Sequence, residues 1–206
     1  MSQTTHQSAR GVEHAATATE PNTARERLLQ TAAQLFYGRG INSTGVDLIL
    51  AESKVAKGSL YHHFSGKQAL VLAYLQRERD DWQRSATASD DLTLDSGARL
   101  DALFSGVVHS VHAGTFHGCP FTNAIIERPD DAEVRAAVDG YCDQLRQHLA
   151  AITGESPTSA LVQQLFIVYN GALTALKLTR DLEAVESARC LAQQLLHEQQ
   201  AQRLRG

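Results

Sequence analysis

Hydrogen-bond donors and cations are concentrated in residues 57–67, which read Lys-Gly-Ser-Leu-Tyr-His-His-Phe-Ser-Gly-Lys. Helical spacing places Leu60 and Phe64 four residues apart on one inward side and leaves the polar side chains on the remaining surface. Such donors suit phosphate oxygens, and Gly58, which lacks a Cβ, permits a close approach. The sequence therefore predicts a DNA-contacting surface, although a solvated helical face with incidental polar residues is an alternative. The candidate residues are Thr44, Lys54, Lys57, Gly58, Ser59, Tyr61, His62, His63 and Lys67.

A second candidate site surrounds Cys119, which directly precedes Pro120 and therefore lies at the predicted start of a helix. A helix N-terminus stabilises a thiolate, and His117 could add positive charge or accept a proton. Cys142 could resolve a sulfenate as a disulfide if the two α-carbons come within about 7 Å. The alternative is that Cys119 is a small buried hydrophobic residue.

Metal binding and catalysis are the competing interpretations of this segment. The pair His109 and His112 has helical i, i+3 spacing, and His117 and Cys119 follow, but no closed four-ligand pattern appears. Thiol chemistry needs a third group that orients the base, and the sequence supplies none. We therefore predict neither a metal, nor another cofactor, nor an enzyme. A helical interaction protein without DNA binding is a third alternative.

Composition limits the kind of chain that carries these residues. The 206 residues are 43% hydrophobic and 20% charged, which fits a globular chain of one or two domains. Three cysteines and no apolar leader in residues 1–21 favour a reducing, cytoplasmic setting, and no apolar run reaches the length of a membrane span. Residues 1–67 carry seven Lys and Arg against five Asp and Glu, whereas residues 68–206 carry twelve against eighteen. This charge asymmetry allows nucleic acid at one end only.

Hydrophobic periodicity predicts an all-α fold. Residues 1–21 are polar and predict a disordered arm. Residues 22–67 predict a head of three short helices, capped by Asn22 or Thr23, in which the second and third form a helix-turn-helix connected at residues 54–56. A fourth helix follows Ser65 and extends to about residue 89. Residues 68–206 predict a helical body, with helices at about 95–113, 120–127, 131–152, 157–180 and 183–203.

Residues 23–72 resemble the N-terminal domain of the TetR family of bacterial repressors. The resemblance rests on residues 57–64 with Lys67 and Leu70, on Arg39-Gly40, and on Thr44-Gly45-Val46. Two positions depart from the family pattern. Lys54 stands where many members have glycine in the turn, and Ala56 replaces a capping Ser or Thr, a loss of about 1 kcal/mol of helix stability.

The resemblance implies a homodimeric repressor that binds a palindromic DNA operator. Its last two helices would pair with their symmetry mates, with close approach at Gly171, Ala172 and Ala175, and Cys190 would lie near this bundle. Its central helices would enclose an effector pocket. The segment around Cys119 is similar to members that sense electrophiles or oxidants, so release by a small molecule or by modification of Cys119 is implied. The expected effector or sensing residues are Cys119, His117, Trp82, Phe104, Val108, Val111, Phe116, Phe121, Tyr141, Phe166 and Asn170. Asn170 lies in an apolar run and needs a polar partner if buried.

Overall fold

A computed structural model describes residues 23–88 and 93–204, and all regular structure in these ranges is α-helical. The helices are α1 (Ala24–Arg39), α2 (Val46–Ser53), α3 (Lys57–His63), α4 (Lys67–Ala88), α5 (Ser96–His112), α6 (Pro120–Glu127), α7 (Ala132–Thr153), α8 (Ala160–Thr179) and α9 (Glu183–Arg203). The predicted all-α fold is confirmed. The predicted arm, residues 1–21, and the alternative cap Asn22 lie outside the described residues.

Local capping explains where the helices begin. The Thr23 hydroxyl accepts the Glu26 N–H at 3.2 Å, and the Glu26 carboxylate accepts the Thr23 N–H at 3.0 Å, which is a capping box at the start of α1. Helix α8 begins three residues later than predicted, because the Ser159 side chain accepts the Val162 N–H and caps the helix there. The fourth helix begins at Lys67 and not directly after Ser65.

The head of α1, α2 and α3 shares one hydrophobic core with the body. Leu28, Ile49 and Leu60 are fully buried inside the head. Helix α4 continues this core, since the rings of Phe36 in α1 and Tyr74 in α4 lie 5.7 Å apart. A head of this size buries little apolar surface by itself, so its packing against α4 and the body stabilises it.

Helices α8 and α9 pack along each other at the edge of the body. Their outward side carries the exposed residues Ile167 and Leu178 of α8 and Leu191 of α9. No helix among the described residues is long and apolar enough to cross a membrane.

Candidate nucleic-acid interface and central cavity

The turn between α2 and α3 is built around Lys54. Its backbone adopts the left-handed conformation (φ 54°, ψ 34°) that glycine adopts at no steric cost. Lysine therefore occupies the left-handed residue of the turn, and its side chain is exposed there. Ala56 lies at the N-cap of α3 with no side-chain cap bond, as its residue type predicts.

Helix α3 presents a polar outer surface. Leu60 and Phe64 are buried, as predicted, whereas Tyr61 is 53% exposed. The other exposed candidates are Lys54, Lys57, Gly58, His62 and His63, while Ser59 and Lys67 are partly buried. Burial lowers the pKa of Lys67, and nearby Arg128 lowers it further. A Cβ at Gly58 would meet no atom of this chain within 4 Å, so the fold itself does not require glycine at this position.

Thr44 does not belong to this surface. Its side chain is fully buried, and its hydroxyl donates to the carbonyl oxygen of Gly40 at 2.8 Å. We therefore withdraw its predicted role as a phosphate donor, because the hydroxyl hydrogen already bonds the chain's own backbone. Thr44 instead holds the segment between α1 and α2 in place.

A cavity of about 290 Å³ lies in the centre of the body. Four of the predicted effector residues line it, namely Trp82, Phe116, Cys119 and Tyr141. Val111, His117 and Phe116 line a separate groove of about 780 Å³ between the head and the body. Cys119 and His117 thus face different spaces, and the structure does not bring them together in one cavity.

The other five predicted effector residues line neither of these two spaces. Phe121 stacks on Tyr141 at 4.1 Å, and Phe104 packs edge-on against Tyr169 at 5.6 Å. The Asn170 amide donates to the Phe166 carbonyl at 2.9 Å, the backbone partner that a buried asparagine needs. We therefore withdraw Phe104, Val108, Phe121, Phe166 and Asn170 from the effector site.

Cys119 is the N-cap residue of α6, which begins at Pro120 as predicted. The thiol is free, and the residue is only 7% exposed, close to Tyr141. Burial raises the pKa of Tyr141 well above its usual value. Cys142, also free, is partly buried, and burial raises the pKa of its thiol. The cavity is thus the space from which a reagent would reach Cys119.

Helix α6 also connects the cavity to the head. At its C-terminal end the Glu127 carboxylate accepts the backbone N–H groups of Ile41 (3.0 Å) and Asn42 (2.7 Å). Just before its N-terminal end, Tyr37 of α1 donates to the Gly118 carbonyl at 2.8 Å. Burial raises the pKa of Tyr37 to about 12, so the hydroxyl keeps this proton. Both ends of α6 are therefore bonded to the head.

Sequence reasoning missed Glu78, an α4 carboxyl that lines the cavity. Burial raises its pKa to about 7, and the charge of Asp81 adds to the increase while Arg77 opposes it. The signal was present, because Tyr74, Glu78 and Trp82 follow one another at four-residue steps. They place an acid within an otherwise aromatic stripe of α4.

The raised pKa of Glu78 predicts a pH-dependent stability difference. The carboxyl has a usual pKa near 4.5, so the folded chain retains its proton up to about pH 7. The associated stability is fully present below pH 4.5 and is lost as the pH rises through 7. We expect Glu78→Gln to match the parent chain at pH 4 and to exceed it by about 1–2 kcal/mol at pH 8, a value reduced for partial exposure. Urea unfolding at both pH values and one protein concentration measures this difference. Equal unfolding free energies at pH 8 would contradict the burial of the charge.

Metal binding finds no support in the geometry. Across residues 23–88 and 93–204, no three His, Cys, Asp or Glu side chains are grouped so that they could hold a metal ion. His109, His112 and His117 are exposed, whereas Cys119 is buried.

A known protein family matches the helices of the head. Residues 28–74, from α1 into α4, match the family model described as bacterial regulatory proteins, tetR family. The HTH-type transcriptional repressor NemR of Escherichia coli K12 is 30% identical over 181 residues, which cover 80% of this chain and 89% of NemR. The HTH-type transcriptional repressor KstR2 of Mycolicibacterium smegmatis is 41% identical over 66 residues, 32% of either chain.

Solved structures resemble the whole described fold. SCO4454, a TetR-family transcriptional regulator from Streptomyces coelicolor, superposes with a TM-score of 0.80 at 31% identity. The match covers 89% of this chain and 93% of SCO4454. The reduced form of E. coli NemR gives a TM-score of 0.74 at 24% identity, with coverage of 84% and 97%, and this likeness shows the fold alone.

Proposed function

Because this chain belongs to the TetR family of DNA-binding transcriptional regulators, we propose that it is a repressor whose α3 contacts operator DNA and whose body controls release. Members of this family bind operator DNA as dimers and are not enzymes. We further propose that residues 22–67 form the DNA-binding domain and residues 68–206 the effector-binding and dimerisation domain.

The polar surface of α3 is the observation that carries this proposal. Leu60 and Phe64 anchor the helix, so Lys57, Tyr61 and the two histidines after it face solvent. The open space around Gly58 allows a phosphate or base edge to approach the start of the helix. These donors suit the oxygen atoms of a DNA major groove. The imidazole rings of His62 and His63 lie 4.9 Å apart, within the same outer surface.

Dimerisation through α8 and α9 is supported by their exposed apolar side. Ile167, Leu178 and Leu191 lie on that side. A Cβ added at Gly171 would meet no other side chain within 4 Å, so this position leaves room for a partner helix. A symmetric four-helix bundle would cover these residues. Ala172, in contrast, is buried in the core of its own subunit, so we remove it from the predicted interface. Ala175 is partly buried, and Cys190 lies exposed on α9.

We expect Ile167→Asp to separate the dimer and to weaken operator binding by at least about 100-fold. Ile167 is 67% exposed in the subunit, so the folded subunit tolerates aspartate, whereas a symmetric interface would bury the charge in both copies. A monomer then contacts one half-site at a time and loses the affinity that a dimer gains by binding two linked half-sites. The measurements are light scattering coupled to gel filtration and a gel-shift titration. The operator is first selected from randomised DNA, and we expect two half-sites about 34–36 Å apart.

Ile126→Asp is the matched control for oligomeric state, because this isoleucine is 72% exposed on α6. It is expected to remain dimeric. A dimeric Ile167→Asp variant with unchanged operator affinity would contradict the interface. Selection of a single half-site by the unchanged protein would contradict the proposed mode of DNA binding.

The movement that releases the DNA would be transmitted to the head by α6. An effector in the central cavity, or an adduct on Cys119, would act at the N-terminal end of α6, whose C-terminal Glu127 holds Ile41 and Asn42 of the head. Movement of α6 would displace these residues, and movement of α4 would rotate the head. The two α3 helices would then no longer fit successive major grooves. A few kcal/mol of differential affinity suffices for such a population shift. The relative NemR, known in a reduced form, is consistent with control through a thiol.

A further inference from the structure

We propose that the central cavity binds an organic cation, with the positive charge placed at the Glu78 carboxylate and the apolar part against the surrounding aromatic rings. This inference rests on the proposed effector role of the cavity, and it adds the chemical class of the effector. A substituted ammonium compound with an aromatic or alkyl body has this chemistry.

Aromatic rings from four helices contribute to the wall of the cavity, beside aliphatic side chains such as Leu103, Val107 and Leu173. The rings are those of Tyr37 of α1, Trp82 of α4, Tyr141 of α7 and Tyr169 of α8, and Phe116 adds a ring from the loop after α5. The rings of Trp82 and Tyr141 meet edge-on at 5.6 Å. Indole and phenol faces attract cations, and they do so more strongly where water is excluded.

Only some of the charged side chains around the cavity have an oppositely charged partner. Asp81 has two arginine partners, with Arg77 at 3.6 Å and Arg84 in direct contact. Arg99 donates to the Ala151 carbonyl at 3.1 Å, which is in the last turn of α7. Among the described residues, no cation lies within ion-pair distance of Glu78. Glu78 is therefore a carboxyl in the cavity wall without a counter-ion, and Arg99 and His148 line the same cavity.

A bound cation would compensate the burial of Glu78. Desolvation disfavours the Glu78 carboxylate, and its pKa of about 7 reflects this cost. A cation within contact distance would stabilise the ionised form, whereas a neutral ligand would leave it without a partner and an anion would repel it. The cavity, about 290 Å³, is at the lower end of pockets that take small molecules. It therefore suits a compact cation and not a long chain.

The test uses phenyltrimethylammonium and its uncharged carbon isostere, tert-butylbenzene, with the 206-residue chain at pH 8 and in the absence of DNA. Trp82 is the only tryptophan of the chain and lines the cavity, so its fluorescence reports occupancy directly. We expect the cation to bind at least about tenfold more tightly than the isostere. We also expect Glu78→Gln to reduce this preference to about threefold or less, while binding of the isostere stays unchanged.

Asp80→Asn is the matched control, because it removes one negative charge from the same helix at a residue that does not line the cavity and bonds Gln76 at the surface. It is expected to bind the cation as the parent chain does. Equal binding of cation and isostere by the parent chain would overturn the proposal without any variant. So would no binding of either probe, or a cation preference that persists in Glu78→Gln. Cation binding that leaves operator affinity unchanged would confirm the ligand class and contradict the proposed release through this cavity.

Discussion

Lys57→Ala is expected to weaken operator binding by about 10- to 100-fold while the protein remains dimeric, and Tyr61→Ala is expected to do the same. Both side chains lie exposed on α3 and make no contribution to the buried core. A dimer carries two copies, so each substitution removes two contacts of about 0.7–1.4 kcal/mol each. Binding is also expected to depend less on salt. Each lost phosphate contact lowers the slope of log affinity against log salt concentration by about one, so two copies of Lys57→Ala are expected to lower it by about two. Gel-shift titrations at several fixed salt concentrations measure both quantities.

Arg203→Ala is the matched control for charge. Arg203 lies at the end of α9 and pairs with Glu155 in the loop after α7, and neither residue belongs to the head. Its removal changes the net charge of each subunit by the same amount as Lys57→Ala, so operator affinity is expected to stay within about twofold. Full-strength binding by Lys57→Ala and Tyr61→Ala would mean that α3 does not contact the DNA in this orientation. Gel filtration of all three variants separates a loss of contacts from a loss of the dimer.

Local patterns predicted the helices well, because each helix boundary depends on neighbouring residues. The apolar spacing of Leu60 and Phe64 placed both in the core of the head. Pro120 located the first turn of α6, and the predicted cap at Asn22 or Thr23 located the start of α1, where Thr23 is the N-cap residue. These signals act within one or two helical turns, so they can be read from a single sequence.

The cavity depended on information that no single helix contains. Phe121 and Tyr141 were both reasonable candidates, yet their mutual stacking leaves only Tyr141 at the cavity wall. Tyr37 lines the same cavity from α1, far from the others in sequence. Whether an aromatic ring faces a ligand or another ring is decided by the packing of several helices, which periodicity does not specify.

Contacts between the head and α6 were equally hidden. Glu127 bonds Ile41 and Asn42 across more than eighty positions in the sequence. Its carboxylate resembles any exposed glutamate at a helix end until the backbone of the head is placed beside it. Thr44 illustrates the opposite error, because a hydroxyl beside a predicted DNA-contacting helix turned inward to bond the Gly40 carbonyl. Partners of polar groups are thus a tertiary property.

Cys119→Ser is expected to abolish the release of operator DNA by N-ethylmaleimide or hypochlorite while basal binding stays within about twofold of the parent protein. Serine is close to cysteine in size and shape, but it lacks the nucleophilic sulfur. In the parent chain the thiol is only 7% exposed, beside Tyr141 and at the N-cap of α6. We expect an adduct there to displace α6, because Cys119 is buried and is the N-cap residue of that helix. We expect treatment to weaken operator binding of the parent chain by about 100-fold, near the upper end of typical coupling between two sites.

Cys142→Ser and Cys190→Ser are the matched controls, because they remove the other two free thiols and leave Cys119 in place. Both are expected to release DNA on treatment as the parent chain does. Cys190 is exposed, so it reacts first, and mass spectrometry of a treatment series separates its labelling from that of Cys119. Release that follows the labelling of Cys119 would link the thiol to the head through α6 and Glu127. Release that persists in Cys119→Ser would exclude the thiol as the sensor. Complete labelling of Cys119 with unchanged DNA binding would instead show that α6 does not transmit its movement to Ile41 and Asn42.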